Sequence, residues 1–172
     1  MSYRVKPFSD GDDLESFDCG HAALNAWLRK HPRRATRQGT RKYLLIEDNT
    51  EAVVGYFALA PHLVERDALP RSAGRGAPSR IPAILLGKLA LDARLQGQGI
   101  GAELLTQALV MIIEAARAAG GRLVVVDAVD EKAASFYRAH DFQPSPADTR
   151  RLIMKLSTAE QSTRRVSARW PM

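Results

Sequence analysis

Cysteine is almost absent from this 172-residue chain, which has Cys19 and no other. One thiol allows neither an intramolecular disulfide nor a cysteine-based zinc cluster, and it fits a reducing compartment, the cytoplasm. Long apolar runs are missing too, and no stretch approaches the roughly 18 residues that would suggest a membrane span. The start of the chain carries Arg4, Lys6, Asp10, Asp12, Asp13 and Glu15 in place of the apolar core of a signal peptide. What is present is globular: 45% hydrophobic and 26% charged residues exclude wholesale disorder. A chain of this length fits one domain and buries roughly 70% of its unfolded surface, enough for a core without staples.

Acid is missing where base is concentrated. Between Cys19 and Ile46 stand Arg29, Lys30, Arg33, Arg34, Arg37, Arg41 and Lys42, with no Asp or Glu. The C-terminal stretch adds Arg164, Arg165 and Arg169, again without acid after Glu160. The formal net charge is +6, and 19 of the 25 basic residues are arginine, whose planar fork suits phosphate. A high-GC genome would raise the overall arginine share, but it would not clear acids from one stretch. A polyanionic partner is the candidate, either a nucleic acid or a phosphate-bearing cofactor.

Alternation at Tyr3, Val5 and Pro7 predicts an opening strand. Asp18 or Gly20 is placed to cap a helix whose Leu24, Trp27 and Leu28 fall on one buried face. Pro32 ends that helix, and a second short one is expected at 33–38. Tyr43–Ile46 and Ala52–Leu59 read as a hairpin around the polar turn at 47–50. Residues 61–82, with Pro61, Pro70, Pro78 and Pro82, read as a long connection with at most one short helix. Ile84–Leu91 reads as an interior strand. Beyond the glycines at 97–101 a long helix carries Leu104, Leu105, Ala108, Leu109, Ile112, Ile113 and Ala116 in one stripe, and Gly120-Gly121 stops it. Leu123–Val126 is a buried strand, Glu131–His140 a short helix and Arg151–Leu156 a last strand. From Ser157 on no period is visible until Trp170. The expected organisation is a single α/β domain over 1–157, a mixed central sheet with helices on both faces, followed by a basic tail over 158–172.

Gly97, Gly99 and Gly101 alternate between a buried strand and a long helix. Glycine lets the backbone take conformations closed to other residues and lets a ligand approach it closely. The helix start adds unpaired N–H groups and a partial positive charge, so the segment suits a pyrophosphate. It is not a Walker loop, which needs Gly-Lys-Ser/Thr, nor a dinucleotide fingerprint, whose glycine interval differs.

Gln96-Gly97-Gln98-Gly99-Ile100-Gly101 resembles the Gln/Arg-x-x-Gly-x-Gly/Ala motif of the GNAT superfamily of N-acetyltransferases. Further along, Ala133-Ala134-Ser135-Phe136-Tyr137 and then Phe142 are similar to that family's A-x-x-F-Y-x-x-x-G-F signature. More narrowly, Phe17–Gly20, Leu24–Leu28, Val54–Leu59 and Ile81–Asp92 resemble the GNAT-type toxins of bacterial toxin–antitoxin pairs. Lys88 stands where that family usually has Arg, Asp141 replaces the glycine before Phe142, and Asp130 stands where Asn is frequent.

The resemblance implies direct acetyl transfer from acetyl-CoA with no acyl-enzyme and no metal. It places the pantetheine arm between splayed strands at 84–91 and 123–127, bonded to the main chain of Leu89 and Leu91. Gln96, Gly97, Gly99, Ile100, Gly101 and Ala102 are then the cofactor-binding residues, a main-chain N–H near Leu89 the oxyanion donor, and Tyr137 the general acid. No general base stands out, and Asp130 and Glu131 fit better as helix N-terminal acids than as bases. Cys19 is expected to be a small buried residue. For the toxins the resemblance further implies acetylation of the α-amino group of aminoacyl-tRNA, a small ribbon–helix–helix antitoxin and a homodimer. Arg33, Arg34, Arg37, Arg41 and Lys42 are the candidate tRNA phosphate contacts, with Arg75, Arg80 and the tail arginines in reserve. Two other functions compete: a GNAT acting on a small amine or a protein N-terminus, and a non-catalytic acetyl-CoA or nucleic-acid binding module. Pockets for cationic small amines need carboxylates, which the 19–46 stretch lacks. Five to six neutralised phosphates predict that binding falls with salt at a log–log slope of roughly −3.5 to −5, measurable by tRNA titration at several salt concentrations.

Overall fold

A computed structural model of the protein describes residues 2–30 and 39–167. Its elements are β1 (Tyr3–Pro7), α1 (Ala22–Lys30), β2 (Arg41–Glu47), β3 (Val53–Glu65), α2 (Arg71–Gly74), β4 (Arg80–Leu91), α3 (Ile100–Ala119), β5 (Leu123–Asp127), α4 (Glu131–Ala139), β6 (Gln143–Pro144), β7 (Arg151–Lys155) and α5 (Leu156–Ser167). Single 3-10 turns lie at Arg66–Ala68 and Ala93–Leu95. The strands form one mixed seven-stranded sheet in the order β1-β2-β3-β4-β5-β7-β6, the α/β architecture expected of the chain. The helix expected at 33–38 lies outside the described residues. One compact unit consists of the chain up to Ala60 with Lys88–Ala108, and the other of Pro61–Gly87 with the chain from Leu109 on.

In the first unit, β1 and β2 pair antiparallel from Tyr3↔Glu47 to Pro7↔Tyr43, and β2 continues antiparallel onto β3 with a bulge at Leu45/Ile46. Neither Asp18 nor Gly20 caps α1. The amides of Leu24 and Asn25 both donate to the His21 carbonyl at 3.1 Å, so the helix begins there. Asp18 instead closes the turn ahead of it, accepting from Gly20 N and from Asn25 Nδ2 at 2.8 Å each. The core gathers Phe17, Leu28, Leu44, Val53 and Tyr56, with Trp27 packed against it. Each such side chain contributes roughly 1.5–3 kcal/mol on burial. Tyr56 organises them: Phe17 meets its ring edge-on at 5.6 Å, Trp27 stacks at 5.9 Å, and its hydroxyl donates to the Leu24 carbonyl at 2.8 Å. Cys19 is buried here, and burial raises its thiol pKa, in keeping with a packing role.

The second unit pairs β4 with β5 in parallel and β5 with β7 antiparallel. Its core holds Val64, Leu69, Ala77, Ile81, Leu123, Val125 and Ile153. Buried Ser145 donates to the Ala68 carbonyl at 2.7 Å, which fastens the 66–79 connection. That connection is shorter than the sequence implied. β3 runs on through Pro61 to Glu65, and β4 begins at Arg80 and passes through Pro82. The stretch after Ser157, expected to lack a period, is the helix α5, whose inner face is Ala159 and Thr163 rather than large apolar residues.

Lys42 corrects a further expectation. It was assigned to a phosphate-binding surface, yet it is only 4% exposed, because alternation along β2 turns Arg41 outward and Lys42 inward. Its ammonium lies 4.3 Å over the Trp27 ring and 3.5 Å from the Leu28 carbonyl. Burial lowers its pKa from 10.5 to about 8. Because the folded value is the lower one, the unfolded chain binds more protons between about pH 8 and 10.5, and stability rises with pH across that window. Urea unfolding is expected to show a gain of up to about 3 kcal/mol there, which Lys42→Met abolishes while being more stable than the parent at pH 7.

Candidate active site

The loop before α3 is fixed by a small set of polar contacts within the first unit. The Asp92 side chain, 3% exposed, accepts from Arg94 N at 3.0 Å, Nε at 2.9 Å and Nη2 at 3.1 Å. The Arg94 guanidinium holds that carboxyl below the usual carboxylate range. Asp92 N donates to the Val54 carbonyl at 2.8 Å, and Ala93 N donates to the Asp18 carbonyl at 2.9 Å. Gln96 follows. Its amide nitrogen donates to the carbonyls of Cys19 and Leu91, both at 2.9 Å. Gln96 was expected among the cofactor-binding residues; its side chain secures the loop from behind. Leu91 likewise spends its carbonyl on Gln96.

Gly97 and Gly99 have φ of +76° and +82°, a left-handed conformation that other residues take only with strain. Nothing lies within 4 Å of where a Cβ would stand at either one. The first α3 amide with an acceptor is Glu103, which donates to Gly99 O at 3.3 Å, so Ile100, Gly101 and Ala102 have no intrahelical acceptor. An open cradle of glycines leading into free amides at a helix start fits a pyrophosphate. On this observation the residues present suit acetyl-CoA. Within the second unit, the parallel pairing of β4 with β5 runs from Ala83↔Leu123 to Leu86↔Val126.

Tyr137 belongs to the second unit, on α4. Asp130 caps that helix, its carboxylate accepting from Ala133 N at 2.8 Å. This capping contact explains why an acid stands there and gives it no part in proton transfer. Tyr137 is 4% exposed, between Phe136 at 5.3 Å and Phe142 at 5.5 Å, both edge-on. Its hydroxyl has no hydrogen-bond partner among the described residues. Burial raises its pKa, so the phenol stays protonated at any physiological pH and can act as a donor. Asp141 takes the left-handed φ of +71° that the glycine of the family signature would take, and the turn into Phe142 is kept. Of the expected tRNA contacts, Arg41 is exposed on β2, Lys42 is buried, and Arg33, Arg34 and Arg37 lie outside the described residues.

Motif reading found the glycines and the tyrosine but missed the Asp92–Arg94 clasp and the anchoring role of Gln96. The Asp-x-Arg spacing is a local turn signal; the Gln96–Cys19 contact spans 77 positions and left no trace in sequence. Among the described residues no group of three His, Cys, Asp or Glu could hold a metal, and no helix is long and apolar enough to cross a membrane.

The chain belongs to the GNAT acetyltransferases: residues 39–144 match the family described as Acetyltransferase (GNAT) domain. As a member it is an acetyl-CoA-dependent N-acetyltransferase. It is 36% identical over 152 residues to a tRNA-acetylating toxin of Mycobacterium tuberculosis, spanning 88% of this chain and 90% of that protein. Among solved structures it is similar to AtaT complexed with acetyl-methionyl-tRNAfMet, with a TM-score of 0.84 and 34% identity over 93% of this chain and 98% of that one. It is also similar to a tyrosine-to-phenylalanine mutant of KacT, with a TM-score of 0.85 and 30% identity over 94% and 99% of the two chains.

Gln96→Ala leaves the Cys19 and Leu91 carbonyls without their donor. It is expected to raise the KM for acetyl-CoA roughly five- to thirty-fold, the cost of about 1–2 kcal/mol of lost hydrogen bonding. Gln96→Glu, which sets a carboxylate against two carbonyls, should be worse still in the same steady-state assay.

Proposed function

We propose that the protein is a toxin that acetylates the α-amino group of aminoacyl-tRNA and thereby blocks translation. The similarity to AtaT, whose structure holds acetyl-methionyl-tRNAfMet, over nearly the full length of both chains carries this reading. The arginine surplus supports it, because uncharged backbone at Gly97–Ala102 suits the cofactor's phosphates and leaves the acid-free stretch for a second polyanion. AtaT is also known in complex with the antitoxin AtaR. By that likeness this chain's partner is an antitoxin. The resemblance to the toxin family, beyond that complex, supplies the rest of the proposal: an antitoxin of ribbon–helix–helix type and a homodimeric toxin acting in the bacterial cytoplasm.

The chemistry asks little of the protein. A free α-amine titrates near 7.7–8.0, against about 10.4 for a lysine side chain, so a useful neutral fraction exists without a strong base. The amides of Gly97–Ala102 hold the pyrophosphate, and a main-chain N–H near Leu89 polarises the thioester carbonyl. Tyr137 gives its proton to the departing sulfur as the C–S bond breaks and the amide bond forms; the nitrogen's surplus proton passes to solvent, from which the tyrosine regains one.

Labelled acetyl-CoA incubated with charged tRNAs should yield N-acetylated aminoacyl-tRNA, identified after ester hydrolysis as an N-acetyl amino acid. Tyr137→Phe keeps the packing and removes the hydroxyl, and transfer is expected to fall by about 100-fold or more. Transfer at parental rates would remove the tyrosine from the mechanism. With Lys42 buried, Arg33, Arg34, Arg37 and Arg41 alone predict a salt slope between roughly −2.8 and −3.6, and a flat response would remove the tRNA substrate.

A further inference from the structure

Three polar side chains of the second unit meet at the ends of β5 and β7, and the glycine loop and Tyr137 leave them without a role. Arg151 donates through Nε and Nη2 to the two carboxylate oxygens of Asp127, each at 2.8 Å. Its Nη1 lies 3.3 Å from Nε2 of His62, on β3. A guanidinium can only donate. His62 Nε2 is therefore the acceptor, and the proton of the neutral ring sits on Nδ1. That Nδ1 has no hydrogen-bond partner among the described residues. Burial first, and then the Arg151 charge, hold the His62 pKa below its ordinary value, with Asp127 acting weakly the other way. The imidazole is uncharged at neutral pH, half-buried, with one N–H to offer.

Register places this group. Asp127 pairs with Arg151 as Val125 pairs with Ile153, so all four share a face of the sheet. Val125, Ile153 and Val64 sit in one core, and His62 stands two residues before Val64 on the same strand. The cluster thus continues that core's face as polar surface. Asp127 is also the first β5 residue past the last parallel pair, Leu86↔Val126. It stands where the ladder with β4 ends.

We propose that His62 is a substrate-positioning residue whose Nδ1–H donates to the ester carbonyl oxygen of the aminoacyl group, with Arg151 and Asp127 fixing its ring and tautomer; this rests on the aminoacyl-tRNA reading above. Every α-amino ester carries that carbonyl beside the nucleophilic amine whatever its side chain, and a polyamine has none. A neutral donor suits the position, because a cation so near the α-amine would add charge repulsion. The Arg151 charge beside the ring is already neutralised by Asp127.

The test compares steady-state acetylation of bulk charged tRNA by the parent protein, His62→Ala and His62→Gln. His62→Ala should raise the KM for aminoacyl-tRNA roughly tenfold and leave the KM for acetyl-CoA unchanged. His62→Gln, whose amide keeps an N–H donor, should recover most of the loss. In the parent the acceptor KM should also climb as pH falls from 7 to 5 and His62 gains a second proton beside Arg151, more steeply than in His62→Gln, where protonation of the α-amine alone contributes. An acceptor KM untouched in His62→Ala overturns the proposal, as does an equal rise in both KM values. Where His62→Ala lowers Tm, the pH profiles of the parent and His62→Gln decide. A second arm replaces charged tRNA with α-amino acid methyl esters. Ester acetylation that depends on His62 supports the positioning role even if charged tRNA proves inert, an outcome that would defeat only the tRNA reading; ester acetylation indifferent to His62 overturns the positioning role.

Discussion

The parallel ladder between β4 and β5 ends at Leu86↔Val126, and the strand end that follows it holds the glycine loop in place. A strand that ends leaves amides and carbonyls that must find other partners. β4 continues for Gly87–Leu91, and at its end the Leu91 carbonyl is taken by Gln96. The same contact that satisfies the strand end anchors the glycine loop. Asp92, next in the chain, is buried and turned by Arg94, so the chain leaves the strand in one direction only. Strand end, turn and helix start are therefore one mechanical object, and the free amides of Ile100–Ala102 inherit their position from it.

The basic surplus divides by what each side chain meets. Arg94, Arg117, Arg138 and Arg151 are engaged with Asp92, Glu160, Glu131 and Asp127. Arg29 is spent on carbonyls of the 14–17 loop, which it ties to α1. Lys42 is inside, against Trp27. Counting charges along the chain therefore overstates how many face a polyanion, even in a stretch without a single acid. Exposed Lys30 and Arg41 are the described residues of that stretch placed to meet one.

Local signals made most of the fold legible. The alternation of β1, the α3 stripe with its glycine stop and the valine run of β5 stood at nearly their final bounds. Proline hid two strand ends. Pro61 and Pro82 lie inside β3 and β4, where a missing N–H is tolerated only at suitable ladder positions, and the alternation at His62, Leu63 and Val64 was read as connection. α5 escaped because Ala159 and Thr163 form its buried face, a pattern with little hydrophobic contrast. The glycine cradle and Tyr137 were visible as motifs. His62 and Arg151 were not, because they stand 89 positions apart and only the sheet brings them together.

Neutrality is the common property of the groups that the proposed reaction uses. Tyr137 is kept protonated by burial, the loop offers uncharged amides, and His62 is kept in its neutral form. Glu131 is engaged with Arg138 and Asp130 caps its helix, so neither stands ready as a base. Such a set cannot strip a proton from a lysine ammonium, which at pH 7 is neutral in only about one molecule in several thousand. It can serve an α-amine, which at the same pH is neutral in roughly one molecule in ten. The difference, about two and a half orders of magnitude, favours a substrate whose amine sits beside a carbonyl and disfavours side-chain amines and polyamines. Electrostatics alone thus leads toward the substrate that the arginine-rich stretch suggests on independent grounds.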